Sequence, residues 1–127
     1  MTNYYIIAKA NGYDWHTANN TINYRAHIGQ TVAPLNPNTP PHTLNSCWRG
    51  FLHAGPTAIA AWHWNENHAF NECSFYVVQG TPVVIMGDDR GGKYEFLALY
   101  VVEELSEAEF RALLPHRMFS GGWLDQP

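Results

Sequence analysis

Charge is scarce in this chain. Asp, Glu, Lys and Arg together make up 14% of its 127 residues, whereas about a quarter is usual in soluble proteins. Eleven acidic residues outnumber seven basic ones, and the formal net charge is −4. A protein that tracks nucleic-acid phosphates needs a basic face, so direct nucleic-acid binding is not expected. A neutral or basic protein partner fits this charge balance better.

Cysteine and long apolar runs are also scarce. The two cysteines, Cys47 and Cys73, are fewer than a small secreted disulfide scaffold usually carries. No apolar stretch approaches the length of a membrane span, and the start at Met1 lacks the basic and apolar regions of a signal peptide. We therefore expect a cytoplasmic protein with free thiols and no membrane interaction, located in the host cytoplasm if a phage encodes it. A Cys47–Cys73 bridge stays open, because bridging depends on geometry.

Large apolar side chains, by contrast, are abundant. Hydrophobic residues make up 46% of the chain and aromatic residues 14%, which is enough to build one core and one folded domain over residues 1–127. A charge-poor surface with exposed aromatics is typical of a protein-interaction surface. A small domain that simply has few charges would show the same composition, so both interpretations stay open.

The pattern along the chain predicts a single α+β domain with a mostly antiparallel sheet. β-branched and aromatic runs indicate the strands, and the Pro- and Asn-rich stretch 33–46 indicates a loop. The last two strands are separated by a glycine-rich turn and should pair as a hairpin. The predicted order is strand 3–9, strand 22–29 with an extension to 32 past a glycine bulge, the loop, helix 56–65, strand 74–86, strand 94–103 and a helix that begins after Ser106. Gly80-Thr81-Pro82 interrupts the strand 74–86, because Pro82 cannot donate to a ladder, and predicts a bulge, bend or edge position there.

The last helix has the clearest local signal. Ser106 and Glu109 have the spacing of a capping box. Leu105 and Phe110 occupy the positions of a hydrophobic staple, and Pro115 ends the helix.

The densest cluster of reactive side chains lies between the loop and the first helix. It places a thiol, an indole, a guanidinium and an imidazole within seven residues: Cys47, Trp48, Arg49 and His53. A cysteine and a nearby histidine could act as a nucleophile and its base, but no family-type catalytic signature surrounds Cys47.

The same cysteines and three histidines raise the question of a metal site. Zinc accepts such ligands, but the spacings among Cys47, His53, His63, His68 and Cys73 match no known zinc pattern. We therefore predict no metal, and a metal-binding module remains only the third interpretation.

Three acidic residues flank the last strand, Glu95, Glu103 and Glu104. A paired acid near a strand end could orient a ribose or act as a general base, and Glu103 and Glu104 are the candidates for this role. Solvated charges at a strand end are the commoner role, and Glu104 also suits the N-terminus of the following helix.

The residue types enriched at binding hot spots are tryptophan, tyrosine and arginine. The candidate partner contacts combine such residues with the clustered histidine: Trp48, Arg49, His53, Trp62, Trp64 and Trp123.

Several of these residues recur in a family pattern. The segment 28–32, the run Cys47-x-x-Gly50-Phe51-x-His53-Ala54 and the following Pro56 and Ala60-Ala61 resemble a group of small uncharacterised phage and bacterial proteins. Leu52 departs from that pattern as an insertion between the aromatic residue and the histidine, and Arg90 stands where lysine is usual. The resemblance implies an origin in a phage or mobile element, and it implies no activity.

A second resemblance concerns folds of the ADP-ribosyltransferase type. It rests on Gly50-Phe51 followed by the Ala-rich helix at 57–62. This resemblance implies a nicotinamide cofactor and a catalytic glutamate on a late strand, where Glu103 or Glu104 lies. The N-terminal arginine or histidine of that fold has no counterpart here, so the analogy is one of fold.

Taken together, these observations favour a non-enzymatic phage or mobile-element accessory protein that binds a host macromolecule without a cofactor. One concrete form of this function is the inhibition of a host defence or nucleic-acid-processing complex. Whether the chain forms a homo-oligomer stays open. The alternative is a small ADP-ribosyltransferase-like enzyme that uses NAD.

Overall fold

The computed structural model describes residues 2–15, 22–33, 52–65, 68–86 and 92–115. The elements in chain order are β1 (Asn3–Lys9), β2 (Thr31–Val32), β3 (Leu52–Ala54), α1 (Ala58–His63), β4 (Cys73–Gln79), β5 (Val84–Met86), β6 (Lys93–Phe96), β7 (Leu99–Leu105) and α2 (Glu107–Ala112). None of the helices in these ranges is long and apolar enough to cross a membrane.

The strands form two antiparallel sheets. The first has the order β1-β4-β7-β2 and the second the order β3-β6-β5. An isolated bridge joins the sheets where Tyr5 and Gly55 exchange two backbone hydrogen bonds of 2.9 Å. The predicted α+β class with a mostly antiparallel sheet is confirmed.

Gly55 makes this junction sterically feasible. A Cβ at this position would lie 2.5 Å from the backbone nitrogen of Ala61 and 2.9 Å from its Cα. Only glycine lets α1 approach so closely, and β3 is thereby held against both β1 and the helix.

The core divides between the two faces of the first sheet, as the two-residue period of a strand requires. Tyr4, Ile6 and Ala8 of β1 are buried in the larger cluster, which also contains Leu52 and Phe96 from the second sheet. The opposite face packs against the helices through a smaller cluster, in which the rings of Phe75 and Phe110 stack 4.4 Å apart.

The predicted capping box of the last helix is confirmed. The Ser106 hydroxyl accepts from the Glu109 amide at 3.1 Å, and the Glu109 carboxylate accepts from the Ser106 amide at 2.8 Å. Phe110, one residue beyond the box, is completely buried.

One long bent hairpin supplies strands to both sheets. The predicted pairing of 74–86 with 94–103 is confirmed, because β4 pairs with β7 and β5 pairs with β6. The predicted interruption at 80–82 is where the first arm divides into β4 and β5, whereas the second arm, predicted as one strand, is also two strands, β6 and β7. The two arms approach closely at this break, since a Cβ on Gly80 would lie 2.8 Å from the Ala98 carbonyl oxygen.

The predicted strand over 22–32 is wrong for most of its length. Asn23 forms an isolated bridge with Tyr13, residues Arg25–His27 form a 3₁₀ turn, and only Thr31–Val32 is a strand. The Asn23 side chain accepts from the amide of Ala26 at 3.2 Å. Such a local bond favours a turn over a sheet ladder.

The region around the first helix also differs from the prediction. The helix is shorter than 56–65 and begins after Thr57, whose hydroxyl accepts from the Ala60 amide. Residues Leu52–Ala54, interpreted above as the approach to this helix, form β3.

Candidate functional site

Four of the predicted site residues, Cys47, Trp48, Arg49 and Trp123, lie outside the described residues. The thiol–imidazole hypothesis and the Cys47–Cys73 bridge therefore remain predictions. The other site residues predicted from sequence are all placed by the structure.

His53 forms a buried pair with a glutamate. It lies directly opposite Glu95 in the β3–β6 ladder, and its Nε2 is 2.9 Å from Glu95 Oε2. The exposed fractions of the two side chains are 6% and 0%. Because Leu52 and Ala54 point into the core, the intervening His53 lies on the opposite face of the sheet.

Glu95 is only half satisfied by this pair. Its second oxygen, Oε1, is buried and has no hydrogen-bond partner among the described residues. A buried acceptor left without a donor costs about 1–3 kcal/mol. Packing between two strands gives no reason to bury a carboxylate that is only half hydrogen-bonded. Glu95 is therefore the strongest indication of a functional site among the described residues.

A second buried charge lies on the same face of β6. Lys93 is two residues before Glu95 and is buried, and its Nζ lies 4.9 Å from the centroid of the Trp64 ring. The Trp64 indole Nε1 in turn donates to the Gly92 carbonyl oxygen at 3.0 Å. We call the face formed by His53, Lys93 and Glu95 the ionisable face.

The ionisable face brings together the groups that proton transfer requires. An imidazole can donate a proton through one ring nitrogen and accept one through the other, and a carboxylate bonded to one ring nitrogen orients the ring. Sequence reasoning identified His53 but missed Glu95 as its partner. The available signal was the alternation Lys93-x-Glu95, in which two charges share one face of an otherwise apolar strand.

The two described candidate tryptophans are held within the fold. Trp62 is half-buried, and its ring stacks on Phe70 with 4.0 Å between centroids and an interplanar angle of 8°. Trp64 is also half-buried and is fixed by its bond to Gly92. Neither belongs to the exposed large apolar side chains of the described residues.

Glu104 is engaged in an ion pair in the first sheet. Its two oxygens accept from Nε and Nη2 of Arg25, each at 2.8 Å. These bonds to the guanidinium lower the pKa of the Glu104 carboxyl. Glu103 is exposed to solvent. The structure thus places both predicted acids in β7, in a different sheet from His53.

Cys73 is a poor nucleophile. Burial raises the pKa of its thiol to about 11, and Asn65 Nδ2 lies 3.6 Å from the sulfur. Within the described ranges, no three His, Cys, Asp or Glu side chains converge as a metal site. His68, one of the histidines considered above, stacks on Trp15 at 3.9 Å.

The most exposed apolar side chains in a strand region lie at β5. Ile85 is 62% exposed, and Val83, two residues earlier, is 45% exposed. We call β5 together with the preceding residue Val83 the β5 edge, because β5 is the terminal strand of the described second sheet.

Comparison with protein-family models, curated proteins and solved structures gave no match. Both resemblances noted above therefore stay predictions, and function must be argued from the ionisable face and the β5 edge.

Proposed function

We propose that this chain is a phage or mobile-element accessory protein that acts by binding a host protein through the β5 edge. The observation that carries the proposal is the exposure of Ile85, on the terminal strand of the described second sheet, and of Val83 immediately before that strand. Inhibition of a host defence or nucleic-acid-processing complex is the concrete form of this function. The small size, the acidic balance and the family resemblance support it.

The energetics favour a partner at this position. Fully burying an aliphatic side chain stabilises a complex by about 1.5–3 kcal/mol, and both Ile85 and Val83 still expose about half of their surface or more. Natural sheets usually protect their edges with charged residues, but the segment 81–86 contains none.

The proposal is tested by capture from bacterial host lysate. Tagged wild-type protein is compared with an Ile85→Asp variant and with Tyr100→Asp as the matched control, because Tyr100 is 42% exposed but lies in the first sheet. We expect an identified host protein that the wild type and the control retain and that Ile85→Asp loses. Equal retention by all three forms would remove the β5 edge from the mechanism, and the absence of any stable partner would refute the binding function.

A second candidate function is a small transferase that uses a nicotinamide cofactor, with its acid–base chemistry on the ionisable face. The buried His53–Glu95 pair favours this candidate, because Glu95 Oε1 has no hydrogen-bond partner in the part of the chain that the structure describes. It assigns the acid to Glu95 rather than to Glu103 or Glu104. In this assignment Glu95 orients His53, and the imidazole moves the proton.

Transfer of label from labelled NAD to lysate proteins distinguishes the two functions. Glu95→Gln keeps the side-chain volume and should abolish transfer, whereas Glu104→Gln should leave it unchanged. Transfer lost only with Glu104→Gln would move the chemistry to β7, and no transfer by the wild type would eliminate the enzyme. Unfolding curves of both variants control for loss of the fold.

A further inference from the structure

We infer that the host protein contributes an extended, neutral or basic segment that adds to β5 as a further strand. This inference rests on the proposed binding function and specifies the chemistry of its partner. Three features of the described residues support it: the position of β5, its exposure and its composition.

The position of β5 makes it a terminal strand. Among the described strands, β5 pairs only with β6, through the register Val84–Glu95, Ile85–Tyr94 and Met86–Lys93. A terminal strand presents backbone N–H and C=O groups on its outer side, and these bind another extended chain.

The exposure of Ile85 shows that the described residues leave most of its side chain uncovered. A residue inside a sheet has cross-strand neighbours on both sides, and these cover much of its side chain. Ile85 keeps 62% of its surface exposed. Its cross-strand partner Tyr94 packs against the core, so an added strand would continue an existing apolar face.

The composition of residues 81–86 indicates which kind of partner segment could add to β5. No charge interrupts residues 81–86, and Pro82 lies before the strand rather than in it. Alternate side chains of an added strand would lie beside Val83 and Ile85, which favours β-branched residues there. The net charge of −4 favours flanking lysine or arginine over acidic residues.

Displayed random peptides of twelve residues test the inference directly. They are selected on the immobilised wild-type protein. The affinity of each selected peptide is then measured for the wild type, for Ile85→Asp and for the control Tyr100→Asp. We expect selected peptides rich in β-branched residues, free of proline at their centre and neutral or basic. Their affinity should fall at least about tenfold with Ile85→Asp and less than about twofold with the control.

Backbone pairing is checked by hydrogen exchange of the wild-type protein with a selected peptide. Exchange should slow in β5, because its outward amides become hydrogen-bonded. Strand addition would be overturned by any of three results: selected peptides that are proline-rich or acidic, no enrichment of peptides, or peptide binding without slowed exchange in β5.

Two controls separate this inference from its alternatives. If light scattering shows a wild-type dimer that Ile85→Asp dissociates, a second copy of this chain occupies the edge and the inference is wrong. If lysate capture depends on Ile85 but the peptides show no such dependence, the binding function stands and only its strand-addition mode fails.

Discussion

Breaking the buried His53–Glu95 pair should strongly destabilise the protein. Replacing Glu95 by leucine leaves the His53 imidazole buried without its carboxylate, and replacing His53 leaves a buried carboxyl group without its imidazole. Removing one partner of a buried pair costs about 3–5 kcal/mol where the group left behind is charged. For a chain of this length, 1 kcal/mol shifts Tm by about 3–5 °C, so each single variant should unfold about 10–20 °C lower.

The double variant His53→Leu/Glu95→Leu tests whether the instability of each single variant comes from the partner that it leaves unpaired. Two apolar side chains of similar volume often replace a buried pair without loss, or even with a gain in stability. We therefore expect the double variant to unfold within about 1–2 kcal/mol of the wild type, with a coupling energy of at least about 2 kcal/mol.

Urea and thermal unfolding at pH 7, followed by circular dichroism, measure these free energies. The reasoning would be refuted if Glu95→Leu cost less than about 1 kcal/mol, or if the double variant lost as much as the two singles combined. If the double variant is stable but loses a binding or transfer activity that the wild type has, the ionisable face is retained for function.

Three further outcomes follow from individual contacts. In a Cys47→Ser background, Cys73 should react with iodoacetamide at pH 8 about a hundredfold more slowly than a free thiol, because burial raises its pKa to about 11; reaction at the free-thiol rate would contradict its burial. Gly55→Ala should destabilise the fold by about 1–3 kcal/mol in thermal unfolding, because the added Cβ meets the Ala61 backbone; a neutral result would contradict the close junction. Arg25 lowers the pKa of the Glu104 carboxyl in the folded state. The ion pair therefore stabilises the protein at pH values above the pKa that Glu104 has in the unfolded chain. This stabilisation is lost as the pH falls through the lower pKa that Glu104 has in the folded protein. Since both side chains are partly exposed, Arg25→Met should cost at most about 1 kcal/mol at pH 7. This difference from the wild type should shrink as the pH falls through the lowered pKa of Glu104; a difference that stays constant with pH would show that the ion pair is not its source.

Local signals were reliable where neighbouring residues determine the structure. The capping box at Ser106 and Glu109 is a contact over three residues and was correctly predicted. Strand β1 was also predicted with its observed bounds, because five of its seven residues, Tyr4 to Ala8, form a continuous aromatic, β-branched and apolar run. The alternation over 22–32 led to a wrong strand prediction. Its period carries no information about the local hydrogen bond that the Ala26 amide donates to the Asn23 side chain.

The candidate site was only half predictable for the same reason. His53 was recognised as a reactive residue by its type, but its partner Glu95 lies 42 residues later in the chain. Their meeting depends on the register between β3 and β6, and a shift of one residue would place both side chains on opposite faces.

The sequence by itself determined the class of the fold, the pairing of the long hairpin and the cap of the last helix, because each depends on local periodicity or on neighbouring residues. Only the tertiary structure decided that the hairpin bends between two sheets at Gly80 and Ala98, that His53 meets a buried glutamate, and that Ile85 remains exposed at a terminal strand. These features arise from close approach and register between distant segments, which composition and periodicity do not encode.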